Sequence, residues 1–112
     1  MYVGVALFEI FIGHARSLKD KRSVVRSIRD GIRSRHRVSV AEVAHQDLHQ
    51  RSRIAVSLVS NEQSVVDRKL SEISDDIAER GDSELTDWTS EILPFDEHVS
   101  LGSGLLTESD QE

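Results

Sequence analysis

Cysteine is absent from this chain of 112 residues. That excludes disulfides and thiolate metal sites, and nothing else argues for secretion. Proline occurs once, and the aromatics are limited to three Phe, one Trp and one Tyr. No apolar run approaches the roughly 18 residues of a membrane span. The longest run, near the start, is broken by Glu9, and no charged leader precedes it, so the expectation is a cytoplasmic protein without a membrane segment. What is present is enough for one domain, whose core needs no staples at this size.

The net charge of −6 conceals a division. Residues 1–60 hold 11 Lys/Arg against 5 Asp/Glu, whereas residues 61–112 hold 3 against 15, so the balances are +6 and −12. A uniformly acidic chain would argue against nucleic acid; this asymmetry reopens the question.

Hydrophobic periodicity gives the order of elements. Residues 2–12 are almost continuously apolar and read as a buried strand, ended by Gly13 and His14. Ser17 with Asp20 three residues later reads as a capping box. Val25, Ile28 and Ile32, with Val24 beside them, form the apolar face of a helix reaching about Arg35. Val38 and Val40 alternate with polar residues as in a strand, and a phase change at Ala41-Glu42-Val43 implies a bulge. Residues 45–51 are polar and turn-like, and Ile54, Val56 and Leu58 form the inner face of a third strand. Ser60-Asn61-Glu62-Gln63 predicts a second capping box before a helix with Val66, Leu70, Ile73 and Ile77 as its stripe. Gly81 is expected to stop that helix in the left-handed conformation. A last strand spans about Glu84 to Leu93, and Pro94 ends it.

The order βαββαβ predicts a ferredoxin-like α+β two-layer sandwich over residues 1–95. Its sheet is four-stranded and antiparallel, with both helices on one face. Residues 96–112 carry five acids and little apolar content, and are expected to form a disordered tail. The first and second strands run the same way. The loop after strand one and the His45–Arg51 hairpin therefore share one end of the domain with the start of the first helix. His14, Arg16, Lys19, His45, Asp47, His49 and Arg51 are expected in that neighbourhood.

The strongest functional signal is a basic stripe. Lys19, Arg22, Arg26, Arg29 and Arg33 are spaced 3, 4, 3 and 4 and share one helix flank, about 105° from the apolar face. Arg16, Lys21, Arg35 and Arg37 add to it, and only Asp20 and Asp30 oppose it. A charged helix face is ordinarily only solvated, but this imbalance exceeds what solubility requires. Guanidinium groups at one-turn spacing suit a phosphate backbone, through charge-assisted contacts and counterion release. Arg51 would extend the surface over the hairpin end.

Other features carry less. His45-x-Asp47-x-His49, with His14, offers imidazole and carboxylate ligands suited to zinc, although such a turn also forms for structural reasons, with Asp47 bonding turn amides. Gly13 alone is not a phosphate loop, but an anion could dock on the first helix's N-terminus. Asp67, Glu72, Asp75, Asp76 and Glu79 make the second helix acidic, able to pair with the basic helix or with a basic partner. Gly4 and Ala6, with Ser39, Ala41, Ala55 and Ser57, are expected on the open sheet face. Phe8 and Phe11 read as core or interface, and the third strand offers no aromatic on which bases could stack. Such a flat, small, mildly apolar face suits a homodimer.

Three stretches carry a family resemblance: Ala15-Arg16-Ser17-Leu18-Lys19-Asp20-Lys21-Arg22; Val38-Ser39-Val40-Ala41-Glu42-Val43 followed by His45-Gln46-Asp47-Leu48; and Val59-Ser60-Asn61. Together they resemble the YlxP-like bacterial family, a domain of unknown function, over about residues 1–93. The resemblance implies a ferredoxin-like fold. It also implies an association with RNA or ribosome assembly, because members are often encoded beside transcription-termination, translation-initiation and ribosome-maturation factors. It supplies no catalytic residues to carry over, and no cofactor is expected. Many members have an aromatic residue after His-Gln-Asp-Leu, where this chain has His49.

The expected function is therefore that of a small RNA- or ribosome-associated protein, not an enzyme, using Arg16, Lys19, Arg22, Arg26, Arg29, Arg33 and Arg51. The alternatives are a module that docks an acidic protein, and a metal-dependent enzyme at His14, His45, Asp47 and His49. Asp96, Glu97, Glu108, Asp110 and Glu112 are expected to screen the basic helix, so that deleting residues 96–112 tightens polyanion binding at low salt.

Overall fold

The computed structural model describes residues 1–96. Of the acidic tail expected over residues 96–112, Asp96 alone is described, and the remainder lies outside the described residues. The elements are β1 (Tyr2–Phe11), α1 (Leu18–His36), β2 (Ser39–Ala44), β3 (Arg51–Ser60), α2 (Gln63–Ala78) and β4 (Glu84–Pro94). The sheet order is β2-β3-β1-β4, and every neighbouring pair is antiparallel. This is the ferredoxin-like arrangement, with β1 and β2 parallel in direction and both helices on one face.

Burial alternates along β1, and the helices mark which face is the core. Ala6, Phe8 and Ile10 are buried under the helices beside Ile54 and Val56 of β3. Val24, Val25, Ile28 and Ile32 of α1 and Val66, Leu70, Ile73 and Ile77 of α2 close over them. Phe8 stacks on Trp88 of β4 with ring centroids 5.6 Å apart. Gly4 also lies on this face: a Cβ there would overlap Val66 Cγ1 of α2. This corrects the expectation that Gly4 and Ala6 line the open face. Val5 and Leu7 stand there instead, in register with Ser57 and Ala55.

The local signals fare unevenly. Ser17 caps α1, accepting from the Asp20 amide at 3.1 Å, while Asp20 accepts from the Arg16 amide at 3.0 Å. The bulge in β2 falls between Glu42 and Ala44. The second capping box is absent: the N-cap of α2 is Glu62, whose side chain makes no cap bond, and Ser60 Oγ accepts from the Glu62 amide instead. Nor does Gly81 stop α2 in the left-handed region. That helix ends at Glu79 with right-handed geometry, and no described glycine has positive φ. The left-handed stop belongs to α1, at Arg37 with φ 57°.

Candidate nucleic-acid interface

The first turns of α1 expose Lys19, Arg22 and Arg26, and Arg16 is exposed just before the helix. Their side chains make no hydrogen bond or ion pair to another described residue. Lys19 and Arg26 are seven residues apart, about 10 Å along the axis at 1.5 Å per residue. The flank is free because a different face of the helix, about 105° around, supplies the core, leaving these positions turned to solvent.

The rest of the stripe is more committed. Arg29 is half-buried, with Nε 3.6 Å from Asp30, too long for a hydrogen bond. Arg33 is exposed but donates to the Val40 carbonyl at 3.0 Å, covering part of the outer edge of β2. Arg35 pairs with Asp76 at 3.1 Å. Lys21, expected to add to the surface, is 1% exposed. Its Nζ donates to the His45 carbonyl and lies 2.9 Å from Glu42, which also accepts from Ser52 at 2.6 Å. The helix phase turns Lys21 toward the bulge, where Glu42 offsets the cost of burying its charge. Arg51 does not extend the stripe either. It stands on the open sheet face, 3.0 Å from Glu9 and over the Phe11 ring at 5.8 Å to the centroid.

The predicted end-of-domain neighbourhood does form. The Ile12 amide donates to the Gln50 carbonyl at 2.8 Å, and Gln50 Nε2 donates to the Gly13 and Ala15 carbonyls at 3.1 and 3.3 Å. The start of α1 is therefore held against the hairpin. An anion approaching that N-terminus meets the Asp20 carboxylate, which already accepts from the Arg16 amide.

The four candidate metal ligands do not converge. His45 turns to Glu9, with Nε2 3.4 Å from Oε1. Asp47 and His49 line a shallow hollow with Phe11 and Leu48, and His14 is exposed on its own turn. Among the described residues, no three His, Asp or Glu side chains are grouped to hold a metal ion.

Two ionic clusters escaped sequence reasoning. Glu9 gathers Arg53 at 2.9 Å as well as Arg51 and His45. Hydrogen bonding from Arg53, aided by Arg51, holds its carboxyl below the usual 4.5. Between the helices, His36 is 5% exposed and its Nε2 lies 2.6 Å from Asp76. The bond with His36, followed by Arg35, holds the Asp76 carboxyl below the usual 3.8. The only advance signal was the acidic character of α2 opposite a basic α1; nothing in the sequence selected the pair.

A family model described as a protein of unknown function, DUF503, matches residues 3–90. An uncharacterized protein of Bacillus subtilis (strain 168), YlxP, is 31% identical over 71 residues, covering 63% of this chain and 77% of that relative.

Proposed function

The chain belongs to the DUF503 family of proteins of unknown function, and from that premise we propose that it is a small RNA-associated protein. It binds a phosphate backbone through Arg16, Lys19, Arg22 and Arg26. The observation that carries this reading is their exposure on one flank without partners among the described residues, while neighbouring cations are committed to the fold. Arg33 and Arg29 flank the contact, and Arg51 is not part of it. Over about 10 Å, one nucleic-acid strand presents roughly three phosphates, which matches Lys19, Arg22 and Arg26, and Arg16 adds a contact beyond the helix start. The gene neighbourhood implied by the YlxP-like resemblance favours RNA, in ribosome maturation or translation, over other polyanions.

The test is binding of the full chain to RNA and to small ribosomal subunits across a salt series. Contacts from these four side chains predict a slope of log K against log salt of about −3 for a single strand. Arg22→Ala plus Arg26→Ala should reduce that slope by between about one and two. Absence of binding, or an unchanged slope in the double variant, overturns the reading. A partner retained after nuclease treatment, and lost in the same double variant, would point to an acidic protein docking on this flank.

A further inference from the structure

We infer that the open face of the sheet is the contact surface for a second copy of this chain, related by a two-fold axis parallel to the strands. No described element covers this face. Leu7, Val59 and Leu93 are 40%, 65% and 43% exposed on it, around a shallow hollow of about 460 Å³ between Val5, Ala55 and Thr89.

Charge supplies the orientation. Phe11 lies between Arg51 on β3 and Glu84 on β4, and Glu9 lies between Arg53 and Asp87. Across both rows, base stands on one side of β1 and acid on the other. Farther along β4, Glu91 adds to the acidic side beside Val5. A two-fold axis along the strands, passing between β3 and β1, reverses left and right without reversing the strand ends. It lays β1 of one copy over β3 of the other, and β4 over β2. The bases of each copy then face Glu9 and Phe11 on β1 of the other, acidic β4 lies over the uncharged Ser39 and Ala41 of β2, and Glu9 continues to hold its own two arginines. An axis perpendicular to the strands would instead lay acidic β4 over acidic β4.

The area is sufficient. Four strands about 4.8 Å apart, each with about seven residues at ~3.3 Å, make a face of roughly 400–500 Å². Two such faces lose on the order of 1,000 Å², the lower bound for a specific interface.

Sedimentation equilibrium of the full chain should give a dimer. Leu7→Glu should weaken association by about tenfold or more, because it places a charge in an apolar contact. Its circular dichroism should be unchanged, since Leu7 faces away from the core. Orientation is read separately, because the chain lacks cysteine and an introduced one is unique. Thr89, Leu7, Ala55 and Ala41 form one row across the sheet. A bismaleimide of about 10 Å, the distance between packed sheets, should join Thr89→Cys chains to Ala41→Cys chains in a mixture. It should not join Thr89→Cys chains to one another. A monomeric native chain, a folded Leu7→Glu variant that still dimerises, or Thr89→Cys self-linking each overturns the proposal.

Discussion

Lys19 and Lys21 are two residues apart on α1 and have opposite roles. Lys19 is exposed, whereas Lys21 is buried against Glu42 and the His45 carbonyl. Removing Lys21 leaves Glu42 short of its cation, and breaking such a pair costs about 3 kcal/mol. Chemical denaturation should therefore find Lys21→Ala destabilised by about that amount, with the RNA salt slope unchanged in the folded protein. Lys19→Ala should change stability by no more than about 0.5 kcal/mol and reduce the slope. Equal stability losses would contradict the assignment. The stripe was legible because one-turn spacing defines a flank, but its membership was not. Lys21 became a core contact only because the β2 bulge brings Glu42 to it, and Arg51 is separated from the α1 stripe because β3 parity turns it to the open sheet face. Neither partner is near in sequence.

At the scale of elements, α1 and α2 are joined by Asp76, which receives His36 and Arg35. A carboxylate held below its usual value binds fewer protons in the folded state than in the unfolded one. Its contribution is complete above the usual 3.8 and is lost as pH falls through the lower folded-state value. Urea midpoints should fall on acidification through that window, and fall less in Asp76→Asn; an identical acid response in both proteins would remove Asp76 as a cause. Element order and the helix stripes were legible because burial imposes periods of 3.6 and 2. The open face was not. β1 is apolar on both sides, so alternation could not say which side faced the helices, and Gly4 looked suited to an open face when its small size in fact admits Val66. The N-cap of α2 and the role of Gly81 also depended on backbone geometry that residue type alone did not determine.

For the whole molecule, the charge division resolves into places. The four bases of the proposed contact lie on the first half of α1 and just before it, and acids line β4 and continue beyond it in the sequence. Residues 97–112 contain Glu97, Glu108, Asp110 and Glu112 and no Lys or Arg, so removing them changes the net charge from −6 to −2. Ending at Asp96 keeps the Phe95 amide's bond to the Met1 carbonyl at 2.8 Å, so the described fold retains that closing contact. Four fewer negative charges reduce the repulsion felt by an approaching polyanion. The effect should be largest at low salt, where the Debye length is about 30 Å at 0.01 M, and small near 1 M, where it is about 3 Å. The shortened chain should therefore bind RNA more tightly at low salt, with the two binding curves converging as salt rises. An equal gain at every salt concentration would mean that the segment blocks the site by contact rather than by charge. No gain at any salt would mean that the acidic half acts elsewhere, leaving the α1 flank to be judged by its arginine variants alone.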